Sequence, residues 1–599
     1  MYVNKILHNR NALFFSLVCY GLASLLMFNL FRLQVIQGKD LYIISKNVYS
    51  NLNIDRAVRG VIYDRNGVKL VDNVPKFKLY INKDFKDQKI LDLTLENLKQ
   101  LFQVDVKSIY EKELEKISGY PNIREIKLFS NLDYNPYIFQ IEANPQKYPL
   151  VKIEKYLQRK YLYPHITSHI LGYVGEISDE EYMSGKYDYG DIVGKDGIER
   201  GFDTILRGKN GLQRIDFYDN GDKRIVTNLR PRVNGADLYL TIDIQIQQKL
   251  YELIERALQK PEFATTQSFG VVVEDVTNGE ILALASYPSF DSNKFVEGIS
   301  DEDYKKYLDN PGKPLINKVT QYAQPPGSTF KVLTQLTALK HNFATKDTTY
   351  YTGGVFNYGG VDFVDINRIN FGTINMTQAL CVSSNIYHMK LALDMDTKTQ
   401  GQGATLIYEL FDEIGLNASS GINIGTETIG YFPTPQTKQA RGGIWYTGDL
   451  LNASIGQGDV KLTPIASAKM VSTIASGGKV IPQTIILDEN RRNINFTDLN
   501  IDKEAFSTIR AGMECAANAT NTVIGIKSND YPKVASKTGS AETGKYQDNK
   551  PLVHGWEISF SPSDDPKIAM SIFMENSGAG WKGAFISREL HKFIADMKR

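Results

Sequence analysis

Gln324-Pro-Pro-Gly-Ser328-Thr-Phe-Lys331-Val-Leu-Thr-Gln-Leu-Thr-Ala-Leu339 is the stretch of this 599-residue chain that decides its fold. The two prolines and the glycine disfavour a helix before Ser328 and permit one to begin there. Apolar residues then recur at helical spacing, for example at Val332 and Leu336, so one face of that helix can be buried. The stretch therefore predicts a helix that begins at Ser328 and carries Lys331 one turn later on the same face.

A serine and a lysine in this arrangement are suited to nucleophilic catalysis. A serine hydroxyl is a poor nucleophile unless a neighbour takes its proton. Burial lowers the pKa of a lysine from its usual value of about 10.4, so a buried lysine can act as that base. The N-terminus of the helix also favours negative charge that develops nearby. Taken alone, Ser328 could equally be an N-cap with Lys331 at the surface. The same spacing recurs in Ser476-Gly-Gly-Lys479, which lacks this setting and is interpreted as coincidental.

A second string, Ser383-Ser384-Asn385, lies inside the helical-looking stretch Met376–Met389. Small polar residues disfavour a helix interior, so the string indicates a turn or a functional surface. Ser383 can relay a proton, and the Asn385 amide can hold a peptide carbonyl. An ordinary turn is the alternative.

A third string, Lys537-Thr538-Gly539-Ser540, ends the strand-like stretch Pro532–Ser536. A cation and two hydroxyls on a strand edge suit a carboxylate, and Gly539 lets a substrate backbone approach closely. A plain strand end is the alternative for this string. All three strings in this order are typical of serine acyl-transfer enzymes, and they fit a peptide substrate that ends in a free carboxylate.

The N-terminus predicts a membrane anchor. Ala12–Phe31 contains no charged residue, and at about 1.5 Å per residue such a helix spans a bilayer core of roughly 30 Å. A helix buried in a large core is the alternative. Residues 1–11 are then a short cytoplasmic tail. Basic residues lie on both sides of the span, so the positive-inside rule barely decides its orientation; the proposed chemistry places the large domain outside the cell membrane.

The rest of the chain is too long for one core, so at least two domains are expected. Residues 35–234 form a mixed region with a hairpin signal at Asn66-Gly67 and a helical-looking stretch over Ile153–Tyr161. A boundary is predicted near Arg230–Gly235, and residues 235–599 form the second domain.

The second domain is predicted to be α+β. Its first segments are a strand over Leu238–Ile242, a helix capped by Asp243 and a hairpin that turns at Asn278-Gly279. Two more strands, Gly555–Phe560 and Ile568–Met574, lie near the C-terminus. Strands at both ends with helices between them predict one antiparallel sheet flanked by helices.

Composition excludes some functions. The net charge of +1 argues against a nucleic-acid partner, whose binding face would be strongly basic. Three cysteines are too few and too scattered for a disulfide framework or a zinc knuckle. Cys381 could pair with Cys515, although their spacing does not favour it.

With these strings the chain resembles the class B penicillin-binding proteins, membrane-anchored D,D-transpeptidases that cross-link peptidoglycan. The resemblance covers nearly the whole chain and implies that residues 35–234 are a pedestal, dimerisation-type domain and residues 235–599 a penicillin-binding transpeptidase domain. Besides the catalytic strings it rests on Arg32-Leu-Gln-Val, Arg59-Gly60, Asp64-Arg-Asn-Gly67, Leu240-Thr-Ile-Asp243, Ile455-Gly-Gln-Gly458 and Thr463-Pro464. The elongation-type branch is the most similar, through His169-Ile-Leu-Gly-Tyr-Val-Gly-Glu176, Gly194-Lys-Asp-Gly-Ile-Glu199 and Glu575-Asn-Ser-Gly-Ala-Gly580.

The resemblance also implies roles for the residues that act on the scissile bond. Ser328 would attack the penultimate D-alanine carbonyl of a stem peptide, with Lys331 as its base. Ser383 would pass the proton to the leaving D-alanine while Asn385 holds the donor strand. An amine of a second stem peptide would then release the acyl group and form the cross-link.

Substrate binding is implied for the third string. Lys537 would set the local field, while Thr538 and Ser540 would bind the terminal carboxylate beside Gly539. The backbone N–H groups of Ser328 and Ser540 would form an oxyanion hole. The implied partners are peptidoglycan stem peptides, lipid-linked precursor strands, β-lactam inhibitors and a membrane glycosyltransferase of the elongation machinery.

No cofactor is required by this scheme, and no metal is predicted. Some members of the family carry a metal site between the first two strings. The candidate ligands in that interval, Asp347, Asp362, Asp365 and Cys381, have no ligand-like spacing to the interval's one histidine, His341. A solvated loop is the preferred interpretation of the three carboxylates.

Several alternatives remain open at this point. A septal transpeptidase is the near competitor within the family. A β-lactamase or a D,D-carboxypeptidase shares the three strings but seldom needs an anchor and about 200 residues of pedestal. A bifunctional synthase is disfavoured because residues 36–234 carry no glutamate-rich glycosyltransferase signature. A non-enzymatic β-lactam sensor or scaffold is the rival from another functional class.

Overall fold

The computed structural model describes residues 2–38, 49–82, 87–117, 125–188, 190–218, 223–488, 494–518, 532–547 and 549–597. The first helix, α1, spans Tyr2–Phe31 and continues as a π-helix over Arg32–Ile36. Its segment Phe15–Ile36 has a mean hydropathy of 1.5, and none of the segment is buried. By length and composition this helix can cross a membrane, as the sequence predicts for Ala12–Phe31.

Between the anchor and residue 240, strands and helices of very different lengths follow one another. The strands are β1 Tyr49–Asp55, β2 Ile62–Tyr63, β3 Lys69–Asn82, β4 Glu125–Leu132, β5 Val151–Tyr161, β6 Val174–Glu176, β7 Ile192–Gly194, β8 Gly211–Tyr218, β9 Lys223–Arg230 and β10 Leu238–Tyr239. The helices are α2 Gln88–Phe102, α3 Val106–Ile117, α4 Pro136–Ala143, α5 Ser168–Leu171, α6 Asp179–Met183, α7 Gly197–Gly201 and α8 Asp203–Arg207.

From residue 244 onward several helices are longer, and five of the strands form one sheet. The helices are α9 Ile244–Leu258, α10 Ser292–Glu297, α11 Asp301–Leu308, α12 Lys318–Gln321, α13 Lys331–Lys340, α14 Met376–Cys381, α15 Asn385–Lys398, α16 Gly403–Glu413, α17 Pro435–Ala440, α18 Thr447–Ala453, α19 Pro464–Ala475, α20 Lys503–Asn518 and α21 Ala584–Met597. The strands are β11 Ser268–Asp275, β12 Ile281–Tyr287, β13 Thr349–Thr352, β14 Val355–Tyr358, β15 Val361–Val364, β16 Gly372–Asn375, β17 Lys479–Val480, β18 Thr497–Asp498, β19 Ala535–Gln547, β20 Lys550–Ser561 and β21 Ile568–Glu575.

The chain divides into two compact units. One comprises residues 1–60 and 207–236, and in it β1, β8 and β9 form an antiparallel sheet. The other comprises residues 61–206 and 237–599, so most of the predicted pedestal is grouped with the second domain. The domain boundaries proposed from the sequence remain predictions.

The main sheet is antiparallel and has the order β12-β11-β21-β20-β19. Its first two strands form the predicted hairpin, in which Gly279 supplies the positive φ that the turn needs. One apolar cluster packs β11 and β21 against α9 and α21, through residues such as Val271, Leu250 and Ile586. A second cluster joins α13, α15, α19 and α20 to β19, β20 and β21, for example through Ile558. The predicted sheet, assembled from early and late strands and flanked by helices, is therefore observed.

One local prediction is wrong. Ile153–Tyr161, expected to be helical, lies in strand β5, which pairs antiparallel with β3 from Val71 to Ile81. The long partner strand supplies hydrogen bonds along the whole of β5, and that pairing outweighs a weak local helix preference. The predicted strand over Leu238–Ile242 is also shorter, because only Leu238–Tyr239 pairs as a strand, with β2.

A disulfide joins two helices of the second unit. Cys381 at the end of α14 bonds to Cys515 in α20, with the two Cα atoms 5.1 Å apart. The sequence spacing did not favour this pair over free thiols. The bond ties α14 to α20 two residues before Ser383.

Candidate active site

The predicted nucleophile lies in a tight turn. Gly327–Phe330 form one turn of 3₁₀ helix, and α13 follows from Lys331. Gly327 has a φ of +56°, so the chain turns sharply just before Ser328. Ser328 is half-buried, and its hydroxyl has no hydrogen-bond partner within the described ranges.

Glycines allow this turn to lie directly against β19. A Cβ on Gly327 would stand 2.7 Å from the Ser540 carbonyl oxygen, and one on Gly539 would stand 2.5 Å from the Pro326 oxygen. On the other side of the turn, a Cβ on Gly456 would meet the Gly327 oxygen at 2.3 Å. Only residues without a side chain permit such approaches, so these glycines fix the distance between the Ser328 turn and the third string.

Lys537 to Ser540 lie near the start of β19, whereas the sequence placed them just after a strand. The strand is at the edge of the main sheet and pairs with β20, where Lys537 is opposite Ile558. An edge strand presents unpaired backbone groups on its outer side, to which an extended peptide can add as a further strand.

The second string forms the predicted turn between two helices. Ser383 has a φ of +58°, an unusual conformation for a residue with a side chain. Ser384 caps α15 by accepting a hydrogen bond from the Tyr387 N–H, and Asn385 is the first residue of that helix.

Side-chain hydrogen bonds bring the three strings together. Lys331 Nζ donates to the Ser383 carbonyl oxygen at 2.6 Å and to Asn385 Oδ1 at 2.7 Å, and it lies 3.3 Å from Ser383 Oγ. Lys537 Nζ donates to the same Ser383 Oγ at 2.8 Å and to the backbone carbonyl oxygen of Thr538 at 2.8 Å. The Ser383 hydroxyl therefore lies between two lysines that come from the other two strings.

Both lysines are buried, and burial changes their acidity. Lys331 is fully buried, which lowers its pKa well below the usual value, and the positive charge of Lys537 lowers that pKa further. Burial also lowers the pKa of Lys537, to about 7. A lysine whose pKa is depressed in this way can lose its proton near neutral pH and serve as a general base.

This constellation has counterparts in known proteins. The family model of the penicillin-binding protein transpeptidase domain matches residues 269–592, and that of the penicillin-binding protein dimerisation domain matches residues 54–240. The chain belongs to the penicillin-binding protein transpeptidase family. The predicted family and the α+β class are thus confirmed.

Relatives of this penicillin-binding protein match over almost their whole length. The peptidoglycan D,D-transpeptidase MrdA of Haemophilus influenzae is 30% identical over 94% of this chain and 88% of its own. The protein of the same name from Escherichia coli K12 is 28% identical over 98% of this chain and 94% of its own.

Solved structures share the fold. Penicillin-binding protein 2 of Helicobacter pylori, in a complex with MreC, has a TM-score of 0.80 at 24% identity, covering 92% of this chain and 99% of its own. A chain of a peptidoglycan synthase complex, described as coordinating polymerization and crosslinking, has a TM-score of 0.74 at 25% identity and covers 97% of this chain and 96% of its own.

One carboxylate of the penicillin-binding protein was misjudged from the sequence. Asp365 was assigned to a solvated loop, yet its exposed fraction is 1%. Its carboxylate accepts hydrogen bonds from Ser384 Oγ at 2.9 and 3.1 Å and from the Ile386 N–H at 3.1 Å. The other two carboxylates, Asp347 and Asp362, are exposed as expected. From the sequence alone, an aspartate that follows a short hairpin strand gives no sign of whether it is buried or exposed.

Two contacts around Ser540 were also not predicted as part of the site. Gln457 Nε2 donates to the backbone carbonyl oxygen of Ser540 at 3.1 Å, and the Gly580 N–H donates to the Ser540 side-chain Oγ at 3.2 Å. Gly580 approaches so closely that a Cβ there would stand 2.1 Å from the Gly539 oxygen. The strings Ile455–Gly458 and Glu575–Gly580, which entered the sequence analysis only through the family resemblance, thus contact the third string at Ser540.

A buried polar network lies behind Lys537. Glu557 on β20 is fully buried and accepts hydrogen bonds from Ser536 at 2.7 Å and from Ser587 at 3.1 Å. Burial raises the pKa of Glu557 to about 7. On α21, His591 bonds to Ser559 at 3.0 Å, and burial lowers its pKa to about 3. The network links β19, β20 and α21, and its member on β19 is Ser536, the residue just before Lys537.

Proposed function

We propose that this chain is a membrane-anchored peptidoglycan D,D-transpeptidase of the elongation machinery, with Ser328 as its nucleophile. The enzyme class is confirmed by the transpeptidase family and by relatives that carry this activity in their names. The single observation that carries the assignment of residues is the position of Ser383 Oγ between Lys331 and Lys537, beside the turn that holds Ser328.

The geometry supports a two-step acyl transfer. Ser328 Oγ attacks the penultimate D-alanine carbonyl while Lys331 takes its proton, and the C–N bond to the last D-alanine breaks. Ser383 passes a proton to the leaving amine, so D-alanine departs and an ester forms on Ser328. An amine of a second stem peptide then attacks that ester, the C–O bond breaks, and the proton returns to Ser328.

Substrate contacts are assigned to the third string and to Asn385. A donor peptide that adds beside β19 would place its terminal carboxylate near Thr538 and Ser540, in the field of Lys537. Gly539 leaves room for the peptide backbone. The Ser328 and Ser540 N–H groups are proposed to hold the developing oxyanion, and one such donor is usually worth about 10²–10³ in rate.

We place the transpeptidase domain outside the cell membrane, held by α1. The disulfide between Cys381 and Cys515 supports this location, because disulfides persist in oxidising compartments and are rare in the cytosol. Stem peptides and lipid-linked precursors are the proposed substrates, β-lactams the inhibitors, and a membrane glycosyltransferase the partner. The relative found in a peptidoglycan synthase complex supports that partner.

The test uses purified full-length protein with a stem peptide that ends in D-Ala-D-Ala and an added amine acceptor. We expect release of D-alanine together with an amide product, and neither for Ser328→Ala. Hydrolysed donor without amide product would instead favour a carboxypeptidase. Ser476→Ala, which alters the coincidental motif, is the matched control and is expected to retain activity because Ser476 only ends helix α19.

Fluorescent penicillin gives an independent measurement. Wild-type protein in membranes should become labelled, and Ser328→Ala should not. Labelling that is lost within seconds from the purified wild type would favour a β-lactamase over a transpeptidase. Labelling that survives the substitution would contradict the nucleophile assignment.

A further inference from the structure

The β14–β15 hairpin, residues 355–364, contacts the active site through its last residue and the one that follows. The carbonyl oxygen of Val364 accepts a hydrogen bond from Asn385 Nδ2 at 2.9 Å. The other end of the same amide, Asn385 Oδ1, accepts from Lys331 Nζ at 2.7 Å. The Asn385 side chain is thus held between the hairpin and the proposed base.

Asp365, the next residue, holds the backbone of the same string. Its carboxylate accepts from Ser384 Oγ and from the Ile386 N–H, the groups on either side of Asn385. It is almost fully buried, and the N-terminus of α15 toward which it points favours a negative charge. These bonds fix the turn in which Ser383 adopts its positive φ.

We propose that Asp365 is a positioning residue of the transpeptidase, which holds Ser383 and Asn385 where they can orient the amine of Lys331. The proposal rests on the proposed function, because it assumes that Lys331 is the base. Asp365 acts through the second string, and neither the motif nor the proposed catalytic scheme includes it. Its effect on the base is geometric, through the turn, and electrostatic, through its charge.

The electrostatic effect of Asp365 on the pKa of Lys331 has a definite direction. The charged or titratable groups facing Lys331 are Lys537 on β19, His388 on α15 and Asp365 after β15. His388 is neutral, because burial and the charge of Lys331 lower its pKa well below the usual value. Asp365 raises the pKa of Lys331, against the larger lowering by burial and by Lys537. Removing the carboxylate charge therefore lets Lys331 lose its proton at lower pH.

The experiment measures the rate of acylation by fluorescent penicillin against pH, on full-length protein. For Asp365→Asn we expect a rate loss of about 10²-fold, because a small misplacement of catalytic groups has that effect. We also expect the acidic limb of the profile to move to lower pH. Asp362→Asn removes an exposed carboxylate from the same hairpin and should leave the rate and the limb unchanged.

Two results would overturn the proposal. One is a wild-type rate and profile in Asp365→Asn. The other is a slower rate with an unmoved limb and a lower melting temperature, since that describes a purely structural helix cap.

If Asp365→Asn does not fold, Ser384→Ala takes its place. It removes the bond from Ser384 to Asp365, together with the cap bond from the Tyr387 N–H, but keeps the carboxylate charge. The rate should therefore fall several-fold with the limb unmoved; an unchanged rate would overturn the proposal. Ser328→Ala distinguishes a failure of the proposed function from a failure of the role proposed for Asp365. If it is acylated like the wild type, the proposed nucleophile fails and the role of Asp365 with it. If it is inert and Asp365→Asn behaves as wild type, only the role of Asp365 fails.

Discussion

Two lysine side chains share one serine hydroxyl at the centre of this site, and this crowding has electrostatic consequences. Lys331 and Lys537 are both buried, and each lies within 3.3 Å of Ser383 Oγ. Two ammonium groups so close together in a low-dielectric interior repel each other, so the site favours holding fewer than two positive charges. A neutral amine is then available for the role proposed for Lys331, that of accepting the proton of Ser328.

The first residue-scale prediction concerns Lys537→Met, which removes a positive charge next to the proposed base. Since Lys537 lowers the pKa of Lys331, the pKa of Lys331 should rise in the variant. The acidic limb of the acylation profile should then move to higher pH, opposite to the shift expected for Asp365→Asn. The pH profile of the acylation rate is measured by stopped-flow with fluorescent penicillin. An acidic limb that stays in place would argue against Lys331 as the base.

Gly456→Ala provides a second test at this scale. Gly456 has a φ of +70°, and a Cβ there would stand 2.3 Å from the Gly327 oxygen, so the added methyl group should displace the nucleophile turn. We expect acylation to fall by at least tenfold. Gly477→Ala has the same backbone strain, with a φ of +73°, but its Cβ would enter open space. Equal acylation rates for the two variants would contradict the proposed role of the close approach.

Some residues of the site could be predicted from the sequence, and others could not. Ser328, Lys331 and Lys537 stand in short strings whose chemistry is recognisable. Asp365 could not be found, because its burial depends on the hairpin folding over the start of α15, a contact between distant segments. Gln457 was in a recognised string, but its bond to Ser540 also depends on tertiary packing.

At the scale of elements, the polar network behind β19 predicts a pH-dependent stability. The pKa of Glu557 is raised to about 7 in the folded protein, so the folded state prefers the protonated acid. Its contribution to stability is therefore complete below its ordinary pKa of about 4.5 and is lost as the pH rises through about 7. Glu557→Gln cannot ionise, so its melting temperature relative to wild type should rise between pH 5 and pH 8.

Differential scanning calorimetry at several pH values measures this difference. Glu409→Gln, an exposed change on α16, is the control and should follow the wild type at every pH. A constant difference between Glu557→Gln and wild type across the range would mean that Glu557 does not titrate in this window.

The disulfide between α14 and α20 gives a second prediction for elements. It closes a loop with a sequence separation of 134 residues, and loss of a native disulfide typically costs about 2–5 kcal/mol. Cys515→Ser should lower the melting temperature by several degrees. Cys19→Ser, in the exposed helix α1, should not. If the two variants melt alike, Cys381 and Cys515 are not bonded in the protein.

Element prediction succeeded where local signals were strong. The turn glycines and the cap at Asp243 marked the hairpin and helix α9. It failed for β5, whose state is set by β3, a partner about 80 residues earlier in the chain. The end of β19 was misplaced for a similar reason, because its pairing with β20 carries the strand beyond Ser536, through Lys537 to Ser540 and on to Gln547.

At the scale of the whole molecule, the proposed topology puts the C-terminus outside the membrane and the N-terminus inside. Alkaline phosphatase, which is active only after export, tests this when fused after Arg599 or before Met1. We expect activity only in the C-terminal fusion, since α1 supplies a single candidate span within the described residues. Activity in the N-terminal fusion alone would reverse the orientation.

The central claim, that Ser328 forms the acyl-enzyme, is tested most directly by mapping a β-lactam adduct. Protein treated with penicillin is digested with trypsin, and the acylated peptide is identified by mass spectrometry. The adduct should lie on Val319–Lys331, the tryptic peptide that contains Ser328, with fragment ions placing it on that serine. An adduct on a peptide containing Ser383 or Ser476, or an unmodified Val319–Lys331 peptide in labelled protein, would contradict the account.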